Sequence, residues 1–298
     1  PPRAPLNPGA ENAFPSQKPF GEKPVPACAP AGTLLGQTTE YVDTYRPDLL
    51  TPIPRSLGRD AIGVHDFRGT DVWRLYEITW INERGLPVAA AGEIRVPATS
   101  PCIVESKSLK LYIGSLTQTK IASVEEAARL IARDVSACVG APVEVLIDDL
   151  ARWEMPVTRV PGIVLEAECA DLECSVYEPD ASLLKAASDE VVEETLSSNL
   201  LRSRCPVTGQ PDHASIVISY RGRRIDRRAL LAYIVSFRRH QGFHEQCCEQ
   251  IHADIMRVLA PEALSVNCCF TRRGGIDISP FRSTVADLPD PVIRTPRQ

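Results

Sequence analysis

LKLYIGSL at residues 109–116 returns as LLAYIVSF at 230–237, with Tyr, Ile, Ser and a large apolar residue at one spacing. This recurrence constrains the chain more than any other feature, because a repeated element implies a repeated structural unit. The surroundings repeat too. SVEEAARLIARDVSACVGAP (123–142) occupies the place that FHEQCCEQIHADIMRVLAP (243–261) takes later, and both close on Ala-Pro. PVEVLIDD (142–149) then parallels ALSVNCCF (263–270). Each half reads strands, helix, helix, strands, and divergent internal duplication is the simplest account.

Local chemistry gives the same elements. VWRLYEITWIN (72–82) alternates apolar and polar residues as a strand does, ERGLP turns, and VAAAGEIRVPA (88–98) returns as the second arm of a hairpin. Leu109, Tyr112, Ile113 and Leu116 then change the period to helical. Ser123 and Glu126 form a capping-box pattern at a second helix, and Gly140 is a natural stop. In the second half, SIVISYRGRRI (215–225) reads as a strand entering a turn. The pattern predicts an α+β chain of two units, each an antiparallel sheet with two helices on one face. Laying the two sheets side by side would pair their edges.

Composition narrows the function classes. The length of 298 residues suits one large or two ordinary domains. A net charge of −5 argues against a general nucleic-acid binder but leaves room for a local basic pocket. No apolar run approaches the ~18 residues a membrane span needs. Residues 1–30 hold nine prolines and few large aliphatics, which predicts a disordered or extended lead-in over 1–33. Modules are expected at 34–160 and 161–298. The chain as given has no signal-peptide pattern, and its ten cysteines include no CxxC pair. The expectation is a cytoplasmic protein with reduced thiols and no metal.

Four stretches carry chemistry. Cys205, in RSRCPVTGQPD, follows Arg202 and Arg204 and precedes Asp212 by seven residues. A thiolate and a carboxyl there would make a nucleophile and a proton donor. Cys28, Cys102, Cys138 and Cys174 read instead as buried, inert thiols. In VESKSLK (104–110), Ser106, Lys107 and Lys110 open a helix, whose N-terminus favours a phosphate. In QGFHEQ (241–246), His244 and Glu245 could bond a heterocyclic base on which Phe243 stacks. In TRRGGIDISPFRS (271–283), Arg273 and Gly274 could clamp phosphate. Each stretch has a plainer reading: an inert thiol, a surface helix cap, an incidental histidine, a basic hairpin turn. HExxH zinc binding fails because position 248 is Cys, and no GxGxxG or Walker loop is present.

Taken in order, ESKSLKLYIGS, CPVTGQPD, FHEQC and RRGGIDISPFR closely resemble the NADPH-dependent 7-cyano-7-deazaguanine reductases, the nitrile reductases of queuosine biosynthesis. DVWRLYEITWINERGLPVAAAGEIRVPATSP (71–101) and LGQTTEYVDTYRPDLL (35–50) look like the long, two-module subfamily. The resemblance runs from about residue 34 to the C-terminus. It implies tandem tunnelling-fold modules, a homodimer, and four-electron reduction of a nitrile by NADPH through a covalent thioimidate. Carried over by position, Cys205 is the nucleophile and Asp212 the proton donor. Val104, Glu105, Ser106, Phe243, His244 and Glu245 bind substrate, with Glu105 anchoring the ring; Ser106, Lys107, Arg273 and Gly274 contact NADPH. His213, Gly114, Cys268 and Cys269 depart from the family's pattern, which puts the packing around Asp212 in question. A binding module without chemistry is a second class, and it predicts no reaction at Cys205; a cyclohydrolase- or synthase-like member of the same fold is a third, and it needs metal ligands for which the sequence offers no plausible His/Cys set.

Overall fold

The computed structural model describes residues 41–298, so the Pro-rich lead-in and Cys28 lie outside the described residues. The first half begins with β1 (Pro52–Pro54) and α1 (Ser56–Ile62), then the hairpin β2 (Gly69–Ile81) and β3 (Pro87–Pro97). A short β4 (Cys102–Val104) leads into α2 (Ser106–Ser115), α3 (Val124–Val139) and β5 (Glu144–Asp149). The connection carries β6 (Ile163–Val164) and α4 (Leu165–Glu168). The second half is the hairpin β7 (Ala186–Arg204) and β8 (Pro211–Ile225), then α5 (Arg227–Ser236), α6 (His244–Leu259), β9 (Ala263–Phe270) and β10 (Ile276–Ser283).

The strands of both halves form one eight-stranded sheet, in the order β5-β3-β2-β10-β9-β8-β7-β6. The seam is the antiparallel pair β10–β2, where Ile278 faces Trp73. Only β6 runs parallel to its neighbour, and β1 with β4 makes a separate two-stranded ladder. Side chains alternate across the sheet. Trp73, Leu75, Ile94, Val96, Ile276 and Ile278 meet α2 and α3 in one core, and Ile216, Ile218, Leu264 and Val266 meet α5 and α6 in another. Arg282, on the same side of β10 as Ile278, reaches Glu249 on α6, so the helices of both halves cover one face. The C-terminal tail crosses the other face. There Arg74 Nη2 donates to the Ile293 carbonyl (2.7 Å), and Gln298 Nε2 donates to Asp277 and Ser279.

The α+β class and the helix–helix–strand order follow the sequence pattern. Ser123 Oγ accepts from Glu126 N–H, Glu126 Oε2 accepts from Ala122 N–H, and Gly140 ends α3 at φ 75°. SIVISYRGRRI is strand to its last residue: β8 runs to Ile225, paired with the 19-residue β7. Two expectations change. The helix cap in VESKSLK is Glu105, not a serine; its carboxylate accepts from Lys107 and Ser108 N–H, both at 2.8 Å. Cys102, Cys138 and Cys174 are half-buried rather than buried, although burial pushes the Cys138 thiol up to about 11.

Candidate active site

A small cavity opens at the seam, lined by residues of both halves. Trp73, Val104 and Ser106 come from the first; Cys205, Asp212, Phe243, His244, Glu245, Arg273 and Ile278 come from the second. Cys205 stands just beyond β7, in the turn joining it to β8. Its N–H donates to the Gln210 carbonyl (2.9 Å), and Gly209 N–H donates back to its carbonyl (3.0 Å). Gly209, at φ 67°, takes the left-handed turn this closure needs. Pairing of Arg204 with Pro211 then sets Asp212 across the hairpin from Ser203. The loop reading of Cys205 holds, but the residue is only 3% exposed.

Asp212 is flanked by His244 and Arg273. His244 Nε2 lies 3.3 Å from Oδ2 and Arg273 Nη1 3.2 Å from Oδ1. Burial alone would raise the Asp212 carboxyl. The His244 hydrogen bond and the His244 and Arg273 charges outweigh it and hold the group below its ordinary value. The His244 ring stacks on Phe270, with centroids 3.8 Å apart and planes 6° from parallel. That stacking fixes the ring. His244 Nδ1 is buried with no hydrogen-bond partner.

Glu245, next along α6, is 3% exposed, and its Oε1 also has no partner. Burial, then the nearby Asp71 charge, push its carboxyl up to about 8. A buried acceptor left unpaired is destabilising unless something comes to donate to it. Glu105 differs. It is fully buried behind Val104 and Ser106, is not among the residues lining the cavity, and has both oxygens engaged by the amides of α2. The sulfurs that follow Glu245 are core groups: burial pushes the Cys247 thiol well above its usual value.

A second, larger cleft adjoins this cavity, sharing Ser106, His244, Arg273 and Ile278 with it. Lys107, Lys110, Thr208, Gln210, Thr271 and Ile276 complete its lining. Gly274, at φ 65°, lets Lys110 lie across the Arg-Gly-Gly turn, since an added Cβ would stand 2.2 Å from Nζ. The cations and the N-terminus of α2 suit a phosphorylated ligand. Sequence reasoning treated Trp73, Gln210 and Ile278 as scaffold or turn residues. Pairing across the seam brings Trp73 and Ile278 to the site, and the β7–β8 turn brings Gln210, whose carbonyl accepts from Cys205 N–H and whose Oε1 accepts from Arg273. His213 points elsewhere: it is exposed, opposite Arg202 in the β7–β8 ladder. A side chain at Gly114 would meet open space. Among the described residues, no His, Cys, Asp and Glu group could hold a metal ion, and no helix is long and apolar enough to cross a membrane.

A buried thiol, a carboxylate held ionised and a cation-lined cleft meet at one seam, the residue types that covalent catalysis by cysteine requires. Two family models match the chain: "Nitrile reductase, 7-cyano-7-deazaguanine-reductase N-term" over residues 41–147 and "QueF-like protein" over 211–287. The NADPH-dependent 7-cyano-7-deazaguanine reductase of Dechloromonas aromatica (strain RCB) is 48% identical over 255 residues, spanning 84% of this chain and 89% of that protein. The chain belongs to the 7-cyano-7-deazaguanine reductase family.

Proposed function

We propose that this enzyme reduces the nitrile of 7-cyano-7-deazaguanine to the primary amine with two NADPH, in the queuosine pathway of tRNA modification. The observation that carries the reading is the meeting of Cys205, Asp212 and the unpartnered Glu245 Oε1 at one cavity. The nitrile-bearing ring enters against Trp73 and Phe243. Its donor edge bonds to Glu245, with Val104 and Ser106 alongside, while Glu105 holds that wall in place by capping α2.

Cys205 sulfur then bonds to the nitrile carbon. Asp212, entering as a carboxylate, takes the thiol proton and passes it to the nitrile nitrogen, which leaves a covalent thioimidate. His244, hydrogen-bonded to Asp212, reloads it for the later protonations. Ser106, Lys107, Arg273 and the Gly274 backbone would hold NADPH, which would supply two hydrides to that carbon, one before and one after the carbon–sulfur bond breaks. When it breaks, Cys205 leaves with the electron pair as thiolate. With substrate and NADPH filling the cavity and the adjoining cleft, water would be kept from the imine between the two reductions.

The two halves fit tandem tunnelling-fold modules divided near residue 160, and two copies would join as a homodimer in the cytoplasm. The test of the reaction is stoichiometry. NADPH oxidation and amine should appear in a two-to-one ratio. A one-to-one ratio, or no oxidation with this nitrile, contradicts the reading.

A further inference from the structure

Behind Glu245 lies a buried ion cluster that the reaction as derived does not use. Arg282 on β10 is fully buried; its Nη1 donates to Asp71 Oδ1 (2.7 Å) and its Nη2 to Glu249 Oε1 (2.8 Å). Arg55 Nη2 donates to Asp71 Oδ2 (2.6 Å), and Arg59 Nη2 to Glu249 Oε1 (2.7 Å). Three guanidinium groups thus face two carboxylates, leaving one positive charge in surplus. Buried charge that is not balanced is costly. Two buried atoms also lack hydrogen bonds: Arg55 Nη1, 3.6 Å from Glu249 Oε1, and Glu245 Oε1. Arg55, Arg59 and Asp71 belong to the first half of the chain; Glu245, Glu249 and Arg282 belong to the second.

We propose that this cluster is the counter-charge for Glu245: its surplus cation lets Glu245 become the carboxylate that receives a heterocycle's donor edge. Asp71, Arg55 and Arg282 are then positioning residues, and none of them lines the cavity. This deepens the substrate reading above and rests on it. The charges that reach Glu245 are Asp71 from β2, Arg55 ahead of α1 and Arg282 from β10, with Glu249 one turn on along α6 and the Asp212–His244–Arg273 group on the cavity side. In the empty cavity, burial and Asp71 hold the Glu245 proton on up to about pH 8, while Arg55 and Arg282 pull the other way. Ligand binding has to expel that proton. Affinity should therefore rise with pH and level off above the free-site value.

The experiment measures non-covalent binding of 7-cyano-7-deazaguanine to Cys205→Ala protein from about pH 6 to about pH 9, with adduct formation in the unaltered enzyme as a control. Asp71→Asn removes the like charge. A shift of about one pH unit would raise the ionised fraction at pH 7 from about a tenth to about a half, so binding tightens about fivefold. Arg55→Gln shifts the limb upward and weakens binding about tenfold at pH 7, and Arg282→Lys, which keeps the charge, leaves it in place. If Arg55→Gln does not fold, Asp71→Asn decides alone, since a merely structural role predicts weaker binding at every pH. Weaker binding in Asp71→Asn, or an unmoved limb, overturns the proposal. Absence of any adduct in the unaltered enzyme overturns the substrate reading instead.

Discussion

α3 and α6 are both 16-residue helices that follow a ten-residue helix, and they share several bonds. Tyr112 donates to Asp134 at 2.7 Å and Tyr233 to Asp254 at 2.8 Å. Ser115 donates to the Tyr112 carbonyl and Ser236 to that of Tyr233. Parallel bridges pin Ile81 to Lys120 and Arg204 to Gln241. The chemistry then parts. Beyond β7 the chain places Cys205; beyond β2 it places Asn82, whose Oδ1 accepts from Arg84 and Leu86 N–H to close a surface turn. The second residue of α3 is Glu125, exposed and held low by its helix amide and Ser123; the second residue of α6 is Glu245, buried and raised to about 8. One scaffold thus supports a plain surface or a reactive cavity, and burial at the seam makes the difference.

The sharpest break is at the turns. Cys205→Ala should lower turnover by at least about 10³-fold, because the covalent route is lost. Asn82→Ala should lower stability by about 1 kcal/mol and leave turnover unchanged in the steady-state assay. Asp212→Asn comes next, with a loss of about 10²-fold or more in kcat. At the matched helix positions, Glu245→Gln should raise the nitrile KM about tenfold, and Glu125→Gln should leave it alone. Glu245 also carries a stability signature. An acid whose folded value is raised keeps a proton that the unfolded chain has lost, so stability falls as pH climbs from the ordinary glutamate range to about 8. Glu245→Gln should therefore raise Tm at pH 8 and not below the ordinary glutamate value, as thermal melts across that range would show.

Smaller effects probe the shared skeleton. Tyr233→Phe should cost about 1–3 kcal/mol in denaturant unfolding by stripping a buried donor from Asp254. Tyr112→Phe should cost less, because Tyr45 also donates to Asp134 Oδ2, at 2.8 Å. The smallest change expected is a few-fold rise in the NADPH KM for Lys107→Ala, about what loss of one phosphate contact implies. Arg228, its match on α5, is paired with Asp171 at 2.6 Å, and Arg228→Ala should leave that KM unmoved.

The helices were legible because their signals are local: the 3.6 period at Leu109–Leu116, the Ser123 box, the Gly140 stop. β7 was not. Its first residues are mostly exposed on both faces, so no apolar alternation marks it. β10 hid behind Gly274-Gly275 and Pro280, which argue against a central strand. The proline is tolerated because pairing with β9 covers only Phe281–Ser283. Motif-bearing positions such as Cys205 and His244 could be picked out in sequence. What tunes them could not, because Asp71 and Arg282 are 211 positions apart and meet only through strand pairing.

The central claim is a bond between Cys205 and a nitrile carbon drawn into the seam. Mixing the protein with 7-cyano-7-deazaguanine in the absence of NADPH, then measuring intact mass and mapping the modified peptide, tests it most directly. The account predicts a gain of one nitrile per chain, carried by the Cys205 peptide and absent from Cys205→Ala. The same mass gain in Cys205→Ala, or its location on another cysteine, would contradict it.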